Sequence, residues 1–473
     1  MTDQIGVALL AAGAGTRLKV KTAKPLIRLL GKRLVDFSIG AVDDFLESKK
    51  LAGKFGVVIG HQKEEVKEYL ESVYSNDNRS EFSYPIQEQQ LGTADALKCF
   101  FKDCPWAKDT EYTLILCADT PLLTSDIFES LYNVIKEENI DGVCATFSVD
   151  NPSGYGRIVR SQKGFVIVEH KDSNEEQLKI KEVNSGLYLV KTKFVLEQLK
   201  TIDSNNKSNE FYLTDIFKFD SNVKAIEFED ADSFLGVNSM VQLEQARLNL
   251  IARKIRMLQC EGVNFINSQN CYIEEGVEIE SGATIFPSVT LLGNTKINSD
   301  VLVEQGCVIK NSTIAEATVV KAYSYIEDTA IQKNCAIGPF ARLRKGTEVA
   351  DQVKIGNFVE TKQVKLDKNV AISHLSYVGD AEVGENTNLG CGFITCNYDG
   401  EKKHLTKIGK DSFIGSDTQM IAPVNIGDRA FVASGSTINQ DVPDEGFAIG
   451  RGRQTTKENM AKRFLKGKFA IKK

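Results

Sequence analysis

Apolar residues in the first half of the chain occur in short runs that alternate with longer stretches of helical spacing. Stretches such as EEVKEYLESVY and SDIFESLYNVIKEE repeat apolar residues every three or four positions, which is typical of a half-buried helix. The alternation continues to about residue 235 and predicts an α/β domain built on a sheet. The runs that we interpret as its buried strands are IGVALLAAG, FGVVIG, TLILCAD, GVCATFSV and GLYLV.

A long amphipathic segment, SMVQLEQARLNLIARKIRML, follows at residues 239–258. The nearest helix breaker is Gly262, so the segment predicts one uninterrupted helix that connects two parts of the chain. Its apolar face is formed by Leu243, Leu250, Ile251, Ile255 and Leu258.

After the helix, apolar residues recur every six positions. This period predicts a β-solenoid, in which each hexad forms one short side of a coil and its aliphatic side chain stacks on those of neighbouring coils. Glycine follows several of these residues, as at Gly356 and Gly415, and we expect it to permit the turn between two sides. Three runs carry the repeat: Ile273, Ile279, Ile285, Leu291, Ile297, Val303 and Ile309; Ile337, Leu343, Val349 and Ile355; and Ile408, Ile414, Met420, Ile426, Val432 and Ile438.

The repeat breaks between Leu389 and Ile408, where the segment TCNYDGEKKHLTK is polar and charged. A solenoid core cannot take up such side chains, so the segment is predicted to loop out. Loops on rigid scaffolds often carry functional residues.

Composition narrows the class of protein. The chain has 473 residues, of which 42% are apolar and 26% charged, and this favours a globular protein of two domains. The net charge of −6 gives no support to a nucleic-acid partner. The N-terminal sequence has no signal-peptide pattern and no run of 18 apolar residues occurs, so we expect no membrane association. The ten cysteines lack zinc-ligand spacing, which favours reduced thiols and a cytoplasmic location.

A glycine-rich turn follows the first predicted strand, in ALLAAGAGTRLKVKTAKPL. The N–H groups of such a turn can hold phosphate oxygens, and Arg17 and Lys24 add positive charge. The segment lacks the GK[ST] of a P-loop and the last glycine of a dinucleotide fingerprint, so alone it more often indicates a tight turn. Asp119, directly after a strand in LCADTPLL, suits Mg²⁺, although a single aspartate there is more often a cap or turn residue.

One of the four histidines, His374, lies within the solenoid segment ISHLSYVGD. Ile372 and Val378 keep the apolar repeat with Leu366, so the histidine lies between register positions. Histidine titrates near neutral pH and can act as a general base, but this segment alone more often indicates a structural histidine.

Considered together, the motifs of both halves resemble known families. In chain order, LAAGAGTR, Lys24, QEQQLGTADA, Asp119, NPSGYGRI, VEHKD, VNSG and GVN resemble the sugar-phosphate nucleotidylyltransferases. The resemblance continues through ARLRKGTEV, GNFVETKQ, SHLSYVGD, NTNLGCGFITCNYDG, GSDTQ and GRGRQT. Over essentially its whole length the chain is similar to the family of bacterial bifunctional N-acetylglucosamine-1-phosphate uridylyltransferase/glucosamine-1-phosphate acetyltransferases.

This resemblance implies an α/β fold in three parts. A Rossmann-like nucleotidylyltransferase domain would cover residues 1–238, and a linker helix residues 239–260. A left-handed parallel β-helix with a basic C-terminal tail would cover residues 261–473 and form a homotrimer. The expected product, UDP-N-acetylglucosamine, is a precursor of peptidoglycan and lipopolysaccharide in cell-wall biogenesis.

In the family the N-terminal domain joins N-acetylglucosamine 1-phosphate to UTP and releases pyrophosphate. The resemblance implies that Arg17 and Lys24 neutralise the triphosphate and that Asp119 and Asn238 bind Mg²⁺. The other implied nucleotide and sugar contacts are Leu10, Ala11, Ala12 and Gly13 at the glycine-rich turn, Gln87, Gly92 and Thr93 at the uracil, and Gly156, Glu169 and Asn184 at the sugar.

The family's solenoid transfers acetyl from acetyl-CoA to the amino group of glucosamine 1-phosphate. The resemblance implies that His374 is the general base and that Glu360 orients it or raises its basicity. The implied sugar-phosphate ligands are Arg342, Lys362, Tyr377 and Asn388, and the implied acetyl-CoA contacts are Cys391, Asn397, Tyr398, Ser416, Ser434 and Arg451.

The sequence departs from the family at several positions. The family commonly has Pro-Lys where this chain has Ala23-Lys24-Pro25, but Lys24 is kept, so we expect catalysis to persist. Ala118 stands where glycine is frequent and adds a methyl group beside the nucleotide. LGTADA replaces the frequent LGTGHA, and its Asp95 lies next to the base pocket, where a change bears on nucleotide preference. Cys391 and Ser434 replace alanines; both are small, so CoA should fit.

Other interpretations stay open at this level. The chain can be a single-activity nucleotidylyltransferase whose solenoid serves assembly or regulation, or a non-catalytic scaffold, although Lys24 with Asp119 argues against the latter. A nucleophilic Cys391 or Cys396 is an alternative to base catalysis by His374. The basic end RGRQTTKENMAKRFLKGKFAIKK is either a solvated tail or a contact for the CoA phosphates.

Overall fold

The computed structural model describes residues 4–75 and 80–465, and the chain forms two compact units, Met1–Ala252 and Arg253–Lys473. Residues 466–473 of the basic end lie outside the described residues. Within the described ranges, no helix has the length and apolar character needed to cross a bilayer.

The first unit contains strands and helices in alternation, as the sequence predicts. The described strands are β1 Gln4–Leu10, β2 Arg28–Leu29, β3 Lys32–Arg33, β4 Ala52–Val58, β5 Glu81–Ser83, β6 Tyr112–Cys117, β7 Gly142–Ser148, β8 Arg157–Ser161, β9 Gly164–Val168, β10 Glu182–Lys191 and β11 Val223–Phe228. The α-helices that begin in this unit are α1 Leu34–Lys49, α2 Lys63–Tyr74, α3 Thr93–Asp103, α4 Ser125–Glu137, α5 Thr192–Gln198 and α6 Met240–Cys260.

The main sheet of this unit has the strand order β11-β7-β10-β6-β1-β4-β5, and the five predicted strands are confirmed as β1, β4, β6, β7 and β10. Alternate residues of β1 face opposite sides: Val7 packs with α1 and α4, and Ala8 packs with α3. Strands β1 and β6 run parallel, with Leu10 opposite Cys117. Their carboxyl ends therefore bring the glycine-rich turn and Asp119 to one edge of the sheet.

Helix α6 contains nearly all of the segment that the sequence predicts as a connecting helix. Leu243, Ile251, Ile255 and Leu258 are buried, and Leu250 is half-buried. The division between the two compact units falls inside this helix, between Ala252 and Arg253. The domain limits at residues 238 and 260 stay predictions.

The second unit is a stack of short parallel strands, followed by α7 Ala461–Leu465. The strands are β12 Asn264–Phe265, β13 Tyr272–Ile273, β14 Glu278–Ile279, β15 Thr284–Ile285, β16 Thr290–Leu292, β17 Lys296–Ile297, β18 Leu302–Val303, β19 Val308–Lys310, β20 Thr313–Ile314, β21 Val319–Val320, β22 Tyr325–Glu327, β23 Thr329–Ile331, β24 Ala336–Ile337, β25 Arg342–Leu343, β26 Thr347–Val349, β27 Lys354–Asn357, β28 Glu360–Leu366, β29 Ala371–His374, β30 Tyr377–Val383, β31 Asn388–Leu389, β32 Ile394–Cys396, β33 Thr406–Ile408, β34 Phe413–Ile414, β35 Gln419–Ile421, β36 Val424–Ile426, β37 Phe431–Val432, β38 Thr437–Ile438 and β39 Phe447–Ala448.

The pairing of these strands confirms the predicted β-solenoid. One line of partners through successive coils runs from Ile337 to Ile355, Ile372 and Leu389, all of them buried. Every apolar residue of the three sequence runs is likewise buried. The aliphatic ladder lies in the core of the unit, together with a second buried position two residues before many of its rungs, as at Val277, Ala283 and Val289.

The expected role of the glycines is wrong. Gly356 does not have the left-handed backbone of a turn; a Cβ there would lie 1.9 Å from the Ser373 carbonyl oxygen in the next coil. The same is true of Gly415, whose Cβ would lie 2.4 Å from the Ser434 nitrogen. Close approach of neighbouring coils therefore requires glycine. Left-handed corners fall instead on larger residues, such as Phe358 at a φ of 57°.

Two ladders of aromatic rings run along the outside of the solenoid. Tyr323, Phe340 and Phe358 stack with centroid separations of 5.5 and 5.4 Å, and each ring is about half exposed in the single chain. The second ladder stacks in the same way and consists of Phe413, Phe431 and Phe447. Exposed apolar ladders of this kind mark surfaces suited to association.

Candidate active sites

A first cleft, of about 340 Å³, opens at the carboxyl ends of β1 and β6. Gly15 shapes its entrance: it has a φ of 60°, and a Cβ there would lie 2.9 Å from the Cβ of Lys24. The cleft brings together these residues predicted from the sequence: Leu10, Ala11, Ala12, Gly13, Lys24, Gln87, Gly92, Thr93 and Asp119.

A second cleft, of about 300 Å³, shares Cys117 and Asp119 with the first. It joins the remaining residues predicted for this unit: Arg17, Gly156, Glu169, Asn184 and Asn238. Asp119 thus lies where two ligand-sized spaces meet, which suits a reaction between two bound molecules.

The charged groups at this junction converge on two oxygen atoms. The Lys24 ammonium forms an ion pair with Asp119 and donates to Asn238 Oδ1 at 2.7 Å. Arg17 Nη2 donates to the same Asn238 oxygen at 3.0 Å. The Asp119 and Asn238 oxygens therefore both face the Lys24 ammonium. Hard oxygen donors of this kind also fit Mg²⁺. Within the described residues, no cluster of three or more His, Cys, Asp or Glu side chains is arranged for a metal.

The second cleft has a buried, hydrogen-bonded lining. Glu169 accepts a hydrogen bond from Thr214 Oγ1 at 3.1 Å, while burial raises the pKa of the carboxyl above its ordinary value. Asn184 Nδ2 donates to the Tyr188 hydroxyl at 2.7 Å, which fixes its amide. Cys117, which sequence reasoning missed, is an inert lining group, since burial and then Asp119 raise its pKa to about 12.

In the second unit, His374 ends β29 and lies opposite Asn357 of the preceding coil. His374 Nδ1 and Asn357 Oδ1 are 2.8 Å apart. An amide oxygen can only accept, so Nδ1 carries the hydrogen and Nε2 presents its lone pair. Asn357 was not predicted from the sequence; the spacing of 17 residues, one coil, is the signal that would have found it.

Glu360 is engaged with a different residue from the one predicted. Its carboxylate accepts from Arg344 Nη1 at 2.8 Å. The Lys403 ammonium, and after it the charge of Arg344, lower the pKa of Lys362. Three cations thus form one cluster, and two of them, Arg344 and Lys403, were missed. Within the described residues, the predicted Arg342 guanidinium forms no hydrogen bond or ion pair with this cluster.

The predicted loop holds Lys403 in place. Tyr398 and Lys403 form an antiparallel bridge, and His404 Nε2 lies 2.5 Å from Asp399 Oδ2 at its base. Two ends of the loop meet Asp380 Oδ2: Asn397 Nδ2 at 2.5 Å and Lys403 Nζ at 3.6 Å. The loop predicted from the broken repeat is therefore confirmed as a small hairpin.

Two further predicted residues, Tyr377 and Asn397, lie close to Gly379. A Cβ there would lie 2.4 Å from the Tyr377 hydroxyl and 2.9 Å from Asn397 Nδ2, so only glycine leaves room for both. Lys362 lies opposite Gly379 in the strand register. Tyr377, Asn397 and Lys362 therefore surround one patch of backbone.

The other predicted residues follow the solenoid from coil to coil. Asn388 begins β31, which pairs with β29, the strand of His374. Backbone bonds link Cys391 to the coil of Ser416, and Ser416 to the coil of Ser434. Arg451 Nη1 donates to the Ser434 carbonyl at 2.8 Å. Cys391, Ser416, Ser434 and Arg451 thus lie in consecutive coils.

Comparisons with known families agree with the two-unit organisation. The family model described as Nucleotidyl transferase matches residues 7–232. In the solenoid, the GMPPB C-terminal domain matches residues 267–374, and the bacterial transferase hexapeptide with six repeats matches residues 405–440.

Curated relatives extend the similarity over nearly the whole chain. The Bifunctional protein GlmU of Geotalea uraniireducens is 38% identical over 464 residues, which cover 96% of this chain and 98% of the relative. The protein of the same name from Thermosipho africanus is 40% identical over 447 residues and covers 94% of each chain. That of a Geobacillus species is 40% identical over 462 residues, 96% of this chain and 97% of its own.

Proposed function

The chain belongs to the family of bifunctional GlmU proteins, and from this membership we propose how its residues carry two reactions. It is a glucosamine-1-phosphate acetyltransferase and a UDP-N-acetylglucosamine pyrophosphorylase, with a nucleotidyltransferase unit followed by a left-handed β-helix of hexapeptide repeats. The observation that carries the residue assignment is the convergence of Lys24, Arg17 and Asp119 where two clefts meet.

In the α/β unit we assign UTP to the first cleft and N-acetylglucosamine 1-phosphate to the second. A phosphate oxygen of the sugar phosphate attacks the α-phosphorus, a new P–O bond forms, and the bond to the β-phosphate breaks to release pyrophosphate. Lys24 and Arg17 balance the phosphate charge in both ground and transition states. Asp119 and Asn238 would hold Mg²⁺, which would supply further positive charge beside the phosphates.

The lining of the two clefts supports the nucleotide and sugar contacts of this proposal. Backbone groups of residues 10–13 face the phosphates, while Gln87, Gly92 and Thr93 face the uracil. The sugar contacts Gly156, Glu169 and Asn184 in the second cleft. Side chains held by neighbours, as Asn184 is by Tyr188, bind without a further loss of conformational freedom.

In the β-helix, His374 Nε2 takes the proton of the glucosamine ammonium or of the amine as it attacks the thioester of acetyl-CoA. The C–N bond forms, the C–S bond breaks, and the proton held by His374 passes to the sulfur, so that CoA leaves as the thiol. We place the phosphate at the cluster of Arg344, Lys362 and Lys403 rather than at Arg342, because these three charges lie together. Tyr377 and Asn388 contact the sugar ring in this proposal.

Glu360 acts in this proposal on the phosphate site, since Arg344 is its partner. Its predicted support of His374 stays a prediction, and Asn357 takes the orienting role. Acetyl-CoA would lie along the consecutive coils described above, and its contacts are Cys391, Asn397, Tyr398, Ser416, Ser434 and Arg451.

We propose that the enzyme is a homotrimer associated through the β-helix, since the solenoid exposes two aromatic ladders. We further propose that it acts in the cytoplasm, where UTP and acetyl-CoA are available. The free thiols of the chain are compatible with such a reducing compartment.

The test is to assay each half-reaction with purified wild type, His374→Ala and Lys24→Ala. Loss of the base should lower acetyl transfer by about 10²- to 10⁴-fold and leave uridylyl transfer unchanged. Lys24→Ala should do the reverse, lowering uridylyl transfer by about 10²-fold or more. Undiminished acetyl transfer by His374→Ala would contradict the base assignment, and a wild type that acetylates nothing would favour the single-activity alternative.

A further inference from the structure

Gln87 is buried at the base end of the first cleft, and both hydrogens of its amide nitrogen are already used. Nε2 donates to Asp95 Oδ2 at 2.8 Å and to the Gly92 carbonyl oxygen at 3.0 Å. Both partners are acceptors, so the nitrogen rather than the oxygen of the amide must face them. The Gln87 oxygen is then the polar atom of this side chain available to a ligand.

We propose that Asp95 is a positioning residue that makes Gln87 an obligate hydrogen-bond acceptor and thereby selects uracil over cytosine. The inference rests on the proposed function, which places the base of UTP against Gln87. Uracil carries a hydrogen on N3 and can donate it to the Gln87 oxygen. Cytosine has a lone pair on N3, and two acceptors facing each other leave both without a partner.

The position of Asp95 is itself well fixed. It lies in the first turn of α3, where a negative side chain is favoured by the helix dipole. The start of α3 is held by Phe211, whose carbonyl accepts from the Ala94 N–H at 3.0 Å. Gly92, with a φ of 123°, fits closely against Phe211, since a Cβ there would lie 2.4 Å from its carbonyl oxygen.

Removal of Asp95 frees the Gln87 amide to rotate. With Asp95 gone, only the Gly92 carbonyl opposes the rotation, so turning the nitrogen to the cleft to donate to N3 of cytosine costs less than in the wild type. We therefore expect Asp95→Ala to weaken the use of UTP and to improve that of CTP. Asp95→Asn keeps an acceptor oxygen at the same place and should preserve most of the preference.

The experiment measures kcat and KM with UTP and CTP for the wild type, Asp95→Ala and Asp95→Asn. CTP is measured as a competitive inhibitor where it is not turned over. Asp95→Ala should reduce the UTP/CTP ratio of kcat/KM on the order of tenfold, mainly through a higher KM for UTP. Asp109→Ala removes an exposed acid of the same unit that does not line the first cleft; it is the control and should leave the ratio unchanged.

Two results separate this inference from the proposed function. If Gln87→Ala raises the KM for UTP but Asp95→Ala leaves the ratio unchanged, the base site stands and the role of Asp95 is overturned. If Gln87→Ala leaves the KM for UTP unchanged, the base-site assignment itself fails. Thermal unfolding of each variant checks that the unit remains folded, and retained acetyl transfer confirms it for the whole chain.

Discussion

Lys24 contacts the two oxygens at which we propose that Mg²⁺ binds, so the ammonium and the metal compete for one place. Of these two oxygens, that of Asp119 belongs to a carboxylate and that of Asn238 to a neutral amide, while the Arg17 guanidinium adds a second positive charge nearby. Such a junction disfavours a divalent cation until phosphates draw the two cationic side chains away.

Lys24→Met should therefore tighten metal binding in the absence of substrates, even though it removes a residue that we propose acts in uridylyl transfer. With Mn²⁺ as the probe, titration followed by electron paramagnetic resonance should give a Kd on the order of tenfold lower than that of the wild type. Lys21→Met removes an exposed ammonium from the same loop and serves as the control. Equal Mn²⁺ affinity of Lys24→Met and wild type would show that the two cations do not compete.

Where the resemblance assigns a motif position in the first unit, the assigned residues lie together in two adjoining clefts, whereas in the solenoid a partner in another coil decides which side chain joins a cluster. Arg342 and Arg344 flank the buried Leu343, so both point outward and the pattern cannot separate them. The structure distinguishes Arg344 from Arg342 because Arg344 lies in one cluster with Lys403, which comes from a hairpin far along the chain. Asn357 was missed in the same way, and Asp95 was predicted beside the base pocket but without its bond to Gln87, because the importance of each lies in which atom it holds.

At the level of elements, the two periodicities were sufficient to predict five of the nine strands of the sheet, helix α6 and the solenoid. The period of apolar residues and their burial both depend on the alternation of inward and outward side chains, so the sequence pattern predicts which residues form the core. The role of the glycines that follow the apolar residues of the hexads was not predictable from this pattern. Glycine is needed there because the backbone of the next coil lies close, and the local sequence does not contain that distance.

Gly356 offers a test of that reason. Gly356→Ala places a methyl group against the Ser373 carbonyl, next to the proposed base His374, and should lower the free energy of unfolding by about 1–3 kcal/mol. Acetyl transfer should fall while uridylyl transfer persists, and denaturant unfolding of the solenoid measures the loss. Gly452→Ala, which meets nothing within 4 Å, is the control.

Gly356→Asn distinguishes the two explanations of this glycine. Asparagine tolerates a left-handed turn, so it would be accepted if the residue were needed for a turn. If crowding by the neighbouring coil is the cause, asparagine should destabilise the solenoid at least as much as alanine. A stable, fully active Gly356→Asn would contradict the close-approach account.

For the whole molecule, the aromatic ladder of Tyr323, Phe340 and Phe358 bears on the proposed trimer. Leu375, exposed in the next coil beside His374, continues this surface. If another copy covers it, association and acetyl transfer are linked, because the partner then lies next to the proposed base.

Sedimentation should give the wild type a mass of about three times 52.3 kDa. Phe340→Ser with Phe358→Ser should shift the protein towards monomer and reduce acetyl transfer, while uridylyl transfer stays near the wild-type value. Phe431→Ser, in the second ladder, shows whether loss of any exposed ring has the same effect. A double variant that keeps the wild-type mass would exclude the first ladder as the associating surface.

The consecutive coils between His374 and Arg451 also fix a length. Neighbouring parallel strands lie about 4.8 Å apart, so the four steps from His374 through Cys391, Ser416 and Ser434 to Arg451 span about 19 Å. An acyl donor that places its thioester at the first position and its anionic end at the last needs an extended arm of that reach. A donor with a shortened arm keeps one of these contacts and gives up the other, so the coil spacing itself discriminates between donors by their size.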